Sequence, residues 1–248
     1  MRLRRHGPLA VAAALLAAAV AGQPPDPPAA THPMTAAADL RPEHAAFLET
    51  AALLLSPAER DAFLVLNRPY QRDSFIERFW RVRDPFPDTG LNEFRDRWEE
   101  RATLARDRYG GLDDDRSRML LINGEPAEIL KTPCRTVLRP IELWRYRGTE
   151  KIQGEFWLAF LQRQVRPEER YRLWRPTEGL ASLLAGPPLG REALTPVDQI
   201  AEECARGGDV LGALAGCVDW EAVSRKAQPL PQPSDEWLRS FEARSTEV

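Results

Sequence analysis

Apolar residues recur at helical spacing over residues 43–110 of the chain. The clearest stripe repeats every three or four residues and consists of Phe94, Trp98, Ala102, Ala105 and Tyr109. The two glycines that follow Tyr109 are typical of a helix end. Ser56, Pro57 and Glu59 match a capping box, which predicts that another helix begins there. These patterns predict a helical N-terminal region.

The pattern changes between residues 116 and 175. Short runs rich in aromatic and branched residues predict four strands, over 118–122, 141–146, 154–161 and 171–174. Most connections between them are too short for a crossover helix, which favours antiparallel pairing. Helical patterns return over residues 178–245. The predicted fold class is therefore α+β, with N-terminal helices, a central antiparallel β-meander of about four strands, and C-terminal helices.

The N-terminus has the order of segments found in a cleavable signal peptide. A short basic stretch precedes an unbroken apolar run from Leu9 to Val20, and small residues at Ala19 and Ala21 suit signal peptidase. The run is shorter than the roughly 20 residues that a membrane-spanning helix needs. We therefore predict a signal peptide at 1–21, a flexible Pro/Ala-rich spacer at 22–38 and one domain at 39–248. The protein is expected to be exported, periplasmic or extracellular, with no transmembrane segment in the mature chain.

Charge and histidine content narrow the classes of function. The 248 residues contain 34 Lys and Arg against 37 Asp and Glu, for a formal charge of −3. Basic and acidic residues alternate along the predicted helices, whereas nucleic-acid binding needs concentrated bases. Two of the three histidines, His6 and His32, fall in the predicted signal peptide and spacer. The sequence therefore predicts no nucleic-acid partner, no metal site and no cofactor.

The three cysteines are Cys134, Cys204 and Cys217, and no pair has the C-x-x-C spacing of zinc or redox sites. Outside the cytosol a disulfide is allowed. Cys204 and Cys217 both lie in the predicted C-terminal helical region, so they are the candidate pair. The alternative is a buried, reduced thiol at Cys217, because its neighbours are apolar.

Residues 111–129 contain an unusual run. Gly111 to Arg118 reads G-L-D-D-D-R-S-R, an apolar segment follows, and Gly124 to Ile129 reads G-E-P-A-E-I. Together with patches at 75–85 and 141–146, this run resembles the GWxTD domain family of exported bacterial proteins, over residues 49–174. The resemblance implies an α+β fold and export but no established reaction. The family's Trp is replaced here by Leu112, and its Thr by Asp114.

The motif positions are predicted to be structural, and they are Gly111, Asp115, Arg118, Gly124, Pro126, Glu128 and Ile129. Asp115 is expected to accept backbone N–H bonds or to pair with Arg118, so that it fixes the turn between the long helix and the first strand. Consecutive carboxylates at 113–115 lack the alternate spacing of a calcium loop. The alternative function is hydrolysis of envelope carbohydrate or peptide by Asp115 and Glu128, which requires both carboxylates to converge in an open cleft.

The sequence contains no recognisable nucleophile–base set, metal spacing or phosphate loop, so no catalytic residue is assigned. Trp144 is the candidate surface aromatic, because it alternates in phase with Glu142 on a predicted strand. The leading hypothesis is an exported, non-catalytic domain that binds another protein or an envelope component.

Overall fold

The structure is a computed structural model. Four helices form its N-terminal region, and each of the first three begins at a proline. These helices are α1 (Pro42–Thr50), α2 (Pro57–Val65), α3 (Pro69–Arg81) and α4 (Glu93–Tyr109). The predicted capping box is present, since the Ser56 hydroxyl accepts from the Glu59 N–H and the Glu59 carboxylate accepts from the Ser56 N–H. Gly110 ends α4 in the left-handed conformation that glycine adopts without strain.

The structure describes residues 40–132, 137–149, 152–162, 170–186, 195–204, 210–226, 230 and 232–245. The predicted signal peptide and spacer, and Cys134, lie outside the described residues. No helix among the described residues is long and apolar enough to cross a membrane.

The N-terminal helices pack around interlocking aromatic rings. Phe47 lies at the centre of this cluster, with ring centroids 5.1 Å from Phe79 and 5.3 Å from Phe63. The helix α4 also contributes to a second core, because Trp98 packs into the aromatic cluster whereas Ala105 packs against the sheet. The long helix therefore joins the two cores.

The first predicted strand, 118–122, is wrong, because these residues belong to the helix α5 (Asp115–Asn123). Asp114 caps the start of this helix, and Gly124 ends it with a φ of 77°. The side chains of Met119, Leu120 and Leu121 are all buried, so this short segment shows no helical alternation of apolar and polar residues. The apolar run alone could not distinguish a buried helix from a buried strand.

In the described part of the chain, four antiparallel strands form one sheet in the order β1-β2-β3-β4, which confirms the α+β class and the meander. The strands are β1 (Glu128–Lys131), β2 (Ile141–Tyr146), β3 (Phe156–Leu161) and β4 (Arg172–Leu173). One face carries Trp144 and Leu158 and is covered by α4 and α5. The opposite face carries Leu143 and Ala159 and is covered by C-terminal helices. The sheet is thus buried on both faces.

The C-terminal helices contribute to the aromatic cluster and to the cores on both faces of the sheet. They are α6 (Pro196–Cys204), α7 (Val210–Ala215), α8 (Trp220–Ser224) and α9 (Glu236–Ser245). The helix α9 returns to the aromatic cluster, where Trp237 lies 5.3 Å from Phe75 between ring centroids. Between α7 and α8 the chain runs beside β3, because the Trp157 N–H donates to the Gly216 carbonyl and the Val218 N–H donates to the Trp157 carbonyl.

Candidate functional site

Asp114 is the most enclosed carboxylate of the sequence motif, with only 2% of its side chain exposed. It accepts hydrogen bonds from the backbone N–H groups of Arg116, at 2.9 Å, and Tyr171, at 3.0 Å. The Arg116 guanidinium donates to both of its oxygens, at 2.9 and 3.0 Å. Asp114 therefore caps α5 and ties that helix to the segment that enters β4.

Asp115 is half-buried and accepts the backbone N–H of Leu173 in β4 at 2.7 Å. Its own N–H donates to the Tyr171 carbonyl at 3.2 Å. The backbone donor predicted for Asp115 is therefore present, although it comes from β4 rather than from a neighbouring turn. The turn before Asp115 joins α4 to the helix α5 rather than to a strand. Arg118, the other predicted partner of Asp115, is exposed to solvent.

The Arg116 guanidinium is the centre of a buried ionic cluster. It lies over the ring of Tyr171 at 3.9 Å and over the ring of Tyr109 at 4.5 Å, and it contacts Glu142 at 3.1 Å. Burial acts to lower the pKa of Arg116, but the hydrogen bonds and charges of Asp114 and Glu142 outweigh it, so the pKa is raised. Burial also raises the pKa of Tyr109, with the negative charge of Glu142 adding to it.

Asp115 and Glu128 do not converge. Asp115 binds β4, at one edge of the sheet, whereas Glu128 lies in β1, at the other edge, and pairs with Arg145 at 3.1 Å. Three strand spacings of about 4.8 Å place these edges roughly 14 Å apart. Glycosidases hold their two carboxyl groups about 5–10 Å apart. The structure therefore does not form the carboxylate pair that the hydrolase hypothesis requires.

The remaining motif residues shape the turns on either side of α5. The Gly111 carbonyl accepts the Ser117 hydroxyl at 2.6 Å. The Gly124 carbonyl accepts the Tyr146 hydroxyl at 3.2 Å, and a side chain at Gly124 would meet the Arg101 guanidinium at 3.1 Å. Pro126, which is partly buried, and Ile129, which is exposed, continue the chain into β1. Gly124 thus ends the helix α5 and directs the chain toward the start of β1.

Trp144 is fully buried, so its prediction as a surface aromatic is wrong. Helices cover both faces of the sheet, and the indole packs against Phe160 with ring centroids 4.7 Å apart. The indole N–H donates to the Glu142 carboxylate at 3.3 Å. Glu142 is itself buried, and it therefore did not mark an exposed face.

The candidate disulfide between Cys204 and Cys217 is not formed. Cys204 is disulfide-bonded, whereas Cys217 is a free thiol. The backbone bonds between residues 216–218 and Trp157 hold Cys217 at the edge of β3. Cys217 is partly buried, and this burial raises the pKa of its thiol to about 12, as expected for a reduced cysteine in apolar surroundings.

A groove of about 610 Å³ opens between α1, α3 and α4, and the sequence did not predict it. Its volume is within the range of ligand pockets. The apolar lining comes from Phe47, Ile76 and Trp80. Charged residues form the rim, and they are Glu43, Asp73, Glu77, Arg95, Glu99 and Arg106. We call this feature the helical groove.

Every acid of the rim has a basic neighbour. Glu99 contacts Arg95 at 2.8 Å, and Glu77 pairs with Arg81. Arg41 contacts Glu43 at 3.2 Å and Asp73 at 3.8 Å. Arg106 pairs with Glu49 at 3.1 Å, so the rim and its partners hold five acids and four bases; this nearly balanced charge favours neither a strongly basic nor a strongly acidic ligand.

The wall of the helical groove contains one buried histidine. His44 is fully buried, its Nε2 lies 2.8 Å from the Asp73 carboxylate, and its ring contacts Phe63 edge-on. Its Nδ1 has no hydrogen-bond partner among the described residues. No group of three or more His, Cys, Asp and Glu side chains in the described part of the chain could hold a metal ion.

Two apolar side chains project from the loop between α3 and α4. Phe86 is 58% exposed and Leu91 is 66% exposed, the highest values for large apolar residues in the described part of the chain. The loop is held by the Asp84 carboxylate, which accepts the Phe86 N–H at 2.9 Å, and by the Thr89 hydroxyl, within 3.0 Å of the Phe86 and Leu91 carbonyls. We call Phe86 and Leu91 the apolar knob.

Sequence reasoning missed the helical groove and the apolar knob. The residues of each wall recur at helical spacing, as in Asp73, Ile76 and Trp80, but helical spacing does not say which helices are neighbours. A comparison of this chain with protein-family models, curated proteins and solved structures finds no match.

Proposed function

We propose that this protein is an exported, non-catalytic binding module, related to the GWxTD domain family, and that it binds through the face formed by α1, α3 and α4. The observation that carries the proposal is the position of the helical groove beside the apolar knob. A concave surface with an apolar floor and a charged rim, next to exposed apolar side chains on a hydrogen-bonded loop, is typical of an interaction site.

Two observations support export. The first is the signal-like order of basic, apolar and small residues at the N-terminus. The second is the disulfide at Cys204, because structural disulfides persist in oxidising compartments and are rare in the cytosol.

The motif supports binding rather than hydrolysis, because its carboxylates are occupied by the fold. Asp114 accepts hydrogen bonds from two backbone N–H groups and from the Arg116 guanidinium. Asp115 accepts a hydrogen bond from a backbone N–H of β4. A carboxylate that satisfies internal donors has little capacity left for a substrate. The partner is therefore expected at the groove face, as another protein or an envelope component.

The binding face is tested by photo-crosslinking in cells that produce the protein. A photoreactive amino acid replaces Phe86 in the knob or Glu77 at the groove rim, and Val197 on α6 is the control because it is exposed but lies on the other side of the sheet. Adducts are expected from the first two positions and not from Val197. Equal labelling at Val197, or no adduct at the face, contradicts the proposal.

Export is tested separately by N-terminal sequencing of the protein from the envelope or secreted fraction. We expect an N-terminus near Ala21, after removal of the signal peptide. A cytosolic protein that retains Met1 contradicts export without bearing on the binding face.

A further inference from the structure

We infer that the occupant of the helical groove is the apolar knob of a second copy of this chain, so that the protein forms a two-fold symmetric dimer. The inference rests on the proposed binding role of this face and names the partner. Three properties of the face carry it: the order of the knob, the charge balance of the groove, and their position side by side.

The apolar knob is exposed although its loop is ordered. The hydrogen bonds of Asp84 and Thr89 fix the backbone on either side of Phe86. A loop whose backbone is already held in place loses little backbone freedom when a partner buries it. Large, exposed apolar residues on such a loop have the character of interface anchors.

The helical groove offers a limited apolar surface to an occupant. Its lining includes the half-buried Ile76 and the edges of Phe47 and Trp80, which are 7% and 3% exposed, and the charges of its rim are paired within the chain. A strongly charged partner, such as a nucleic acid or a polycationic peptide, gains little from a balanced rim. In the knob loop, Asp88 lies between the two large apolar residues. In the groove, the guanidinium of Arg95 lies at the edge, over the ring of Trp80.

The knob and the groove lie next to each other on one molecule. The Asn92 side chain, at the end of the knob loop, donates to the Trp80 carbonyl in the groove wall at 2.7 Å. Two-fold symmetric interfaces use the same patch twice, so that a feature of each subunit contacts the complementary feature of the other. A knob beside a groove meets this requirement, and the dimer contains two identical knob-in-groove contacts.

Sedimentation of the purified chain from about 1 to about 100 μM tests the inference, since interfaces of ordinary size associate at micromolar concentration or below. We expect a dimer. The double variant Phe86→Ser, Leu91→Ser is expected to weaken dimerisation by at least about tenfold, the effect of losing interface anchors. The matched control is Val197→Ser, which removes an apolar side chain that is 46% exposed on α6, on the other side of the sheet. Circular dichroism checks that each variant is folded.

Mixing two variants tests the reciprocal geometry. Ala46→Trp fills the groove from an exposed position on α1, and it is expected to weaken the homodimer as the knob variant does. In a mixture with the knob variant, the intact knob of one variant can enter the intact groove of the other, which restores one of the two contacts. Association in the mixture should therefore be tighter than in either variant alone and weaker than in the original chain.

The outcomes separate the inference from the proposed function. A chain that stays monomeric at about 100 μM, or dimers unaffected by the knob variant, overturn the inference. If the monomer still forms adducts with a different protein at Phe86 in cells, the binding face stands and only its partner changes. If neither self-association nor adducts are found at this face, the proposed function fails as well.

Discussion

The three consecutive aspartates of the motif offer a graded test of its structural role, because their environments differ. The side chain of Asp113 is 65% exposed and pairs with Arg170, whereas that of Asp114 is 2% exposed. Asp114→Ala removes the acceptor of two backbone N–H groups and leaves the buried Arg116 guanidinium with Glu142 alone. Loss of one member of a buried ion pair costs about 3–5 kcal/mol of unfolding free energy.

The neighbouring variants should have smaller effects. Asp115→Ala leaves the backbone N–H of Leu173 without its acceptor, which costs about 1–3 kcal/mol. Asp113→Ala breaks an exposed ion pair, for which the loss is about 0–1 kcal/mol. The expected order of destabilisation is therefore Asp114, then Asp115, then Asp113.

Guanidinium chloride unfolding of the oxidised protein measures this order, with an unchanged m value showing that the unfolded states are comparable. Each kcal/mol corresponds to a shift of roughly 2–4 °C in Tm for a domain of this size. Asp114→Asn is the matched control, because it keeps an oxygen that caps α5 but removes the charge that Arg116 needs. Its effect should be intermediate. Equal losses at all three positions, or the largest loss at Asp113, would refute the structural assignment of the motif.

Three further predictions concern a thiol and two glycines. Because its pKa is raised to about 12, Cys217 should resist alkylation at about pH 8 in the native protein. In denaturant without reductant, one alkylated cysteine is expected, and three would show that no disulfide is present. Gly216→Ala places a Cβ 2.8 Å from the Trp157 ring and should lower the free energy of unfolding in urea by about 1–3 kcal/mol. The control Gly186→Ala, whose Cβ lies in open space, should leave this free energy nearly unchanged. Gly124→Ala should cost about 1–3 kcal/mol by the same measurement, because φ is positive there; an unchanged midpoint would contradict the strain.

Elements with local signals were predictable from the sequence. The bounds of β2 were predicted at residues 141–146, and β3 was predicted within two residues at one end. Both strands are runs of aromatic and branched residues between turn residues. The capping box at Ser56 and the end of α4 at Gly110 also depend on neighbouring residues alone. Such features need no knowledge of the tertiary structure.

Elements that depend on distant partners were not predictable. The helix α5 looked like a strand because its apolar residues are buried on all sides against residues distant in the chain, which removes the helical alternation of apolar and polar positions. The charge of Glu142 predicted an exposed face of β2. Glu142 is buried instead, because Arg116, 26 residues away in the chain, neutralises its charge. A buried ion pair can be recognised only when both partners are known.

The two positions at which this chain departs from the resembled motif have structural roles in this fold. Asp114 stands where the resembled motif has Thr, and both residue types cap a helix N-terminus by accepting backbone N–H bonds. Leu112 stands where the motif has Trp, and it still packs as an apolar side chain against both cores. A motif whose residues cap a helix and join two cores specifies the fold rather than the ligand. The proposed binding role therefore places specificity outside the motif, in the residues of the helical groove and the apolar knob, which lie on α1, α3, α4 and the loop before α4.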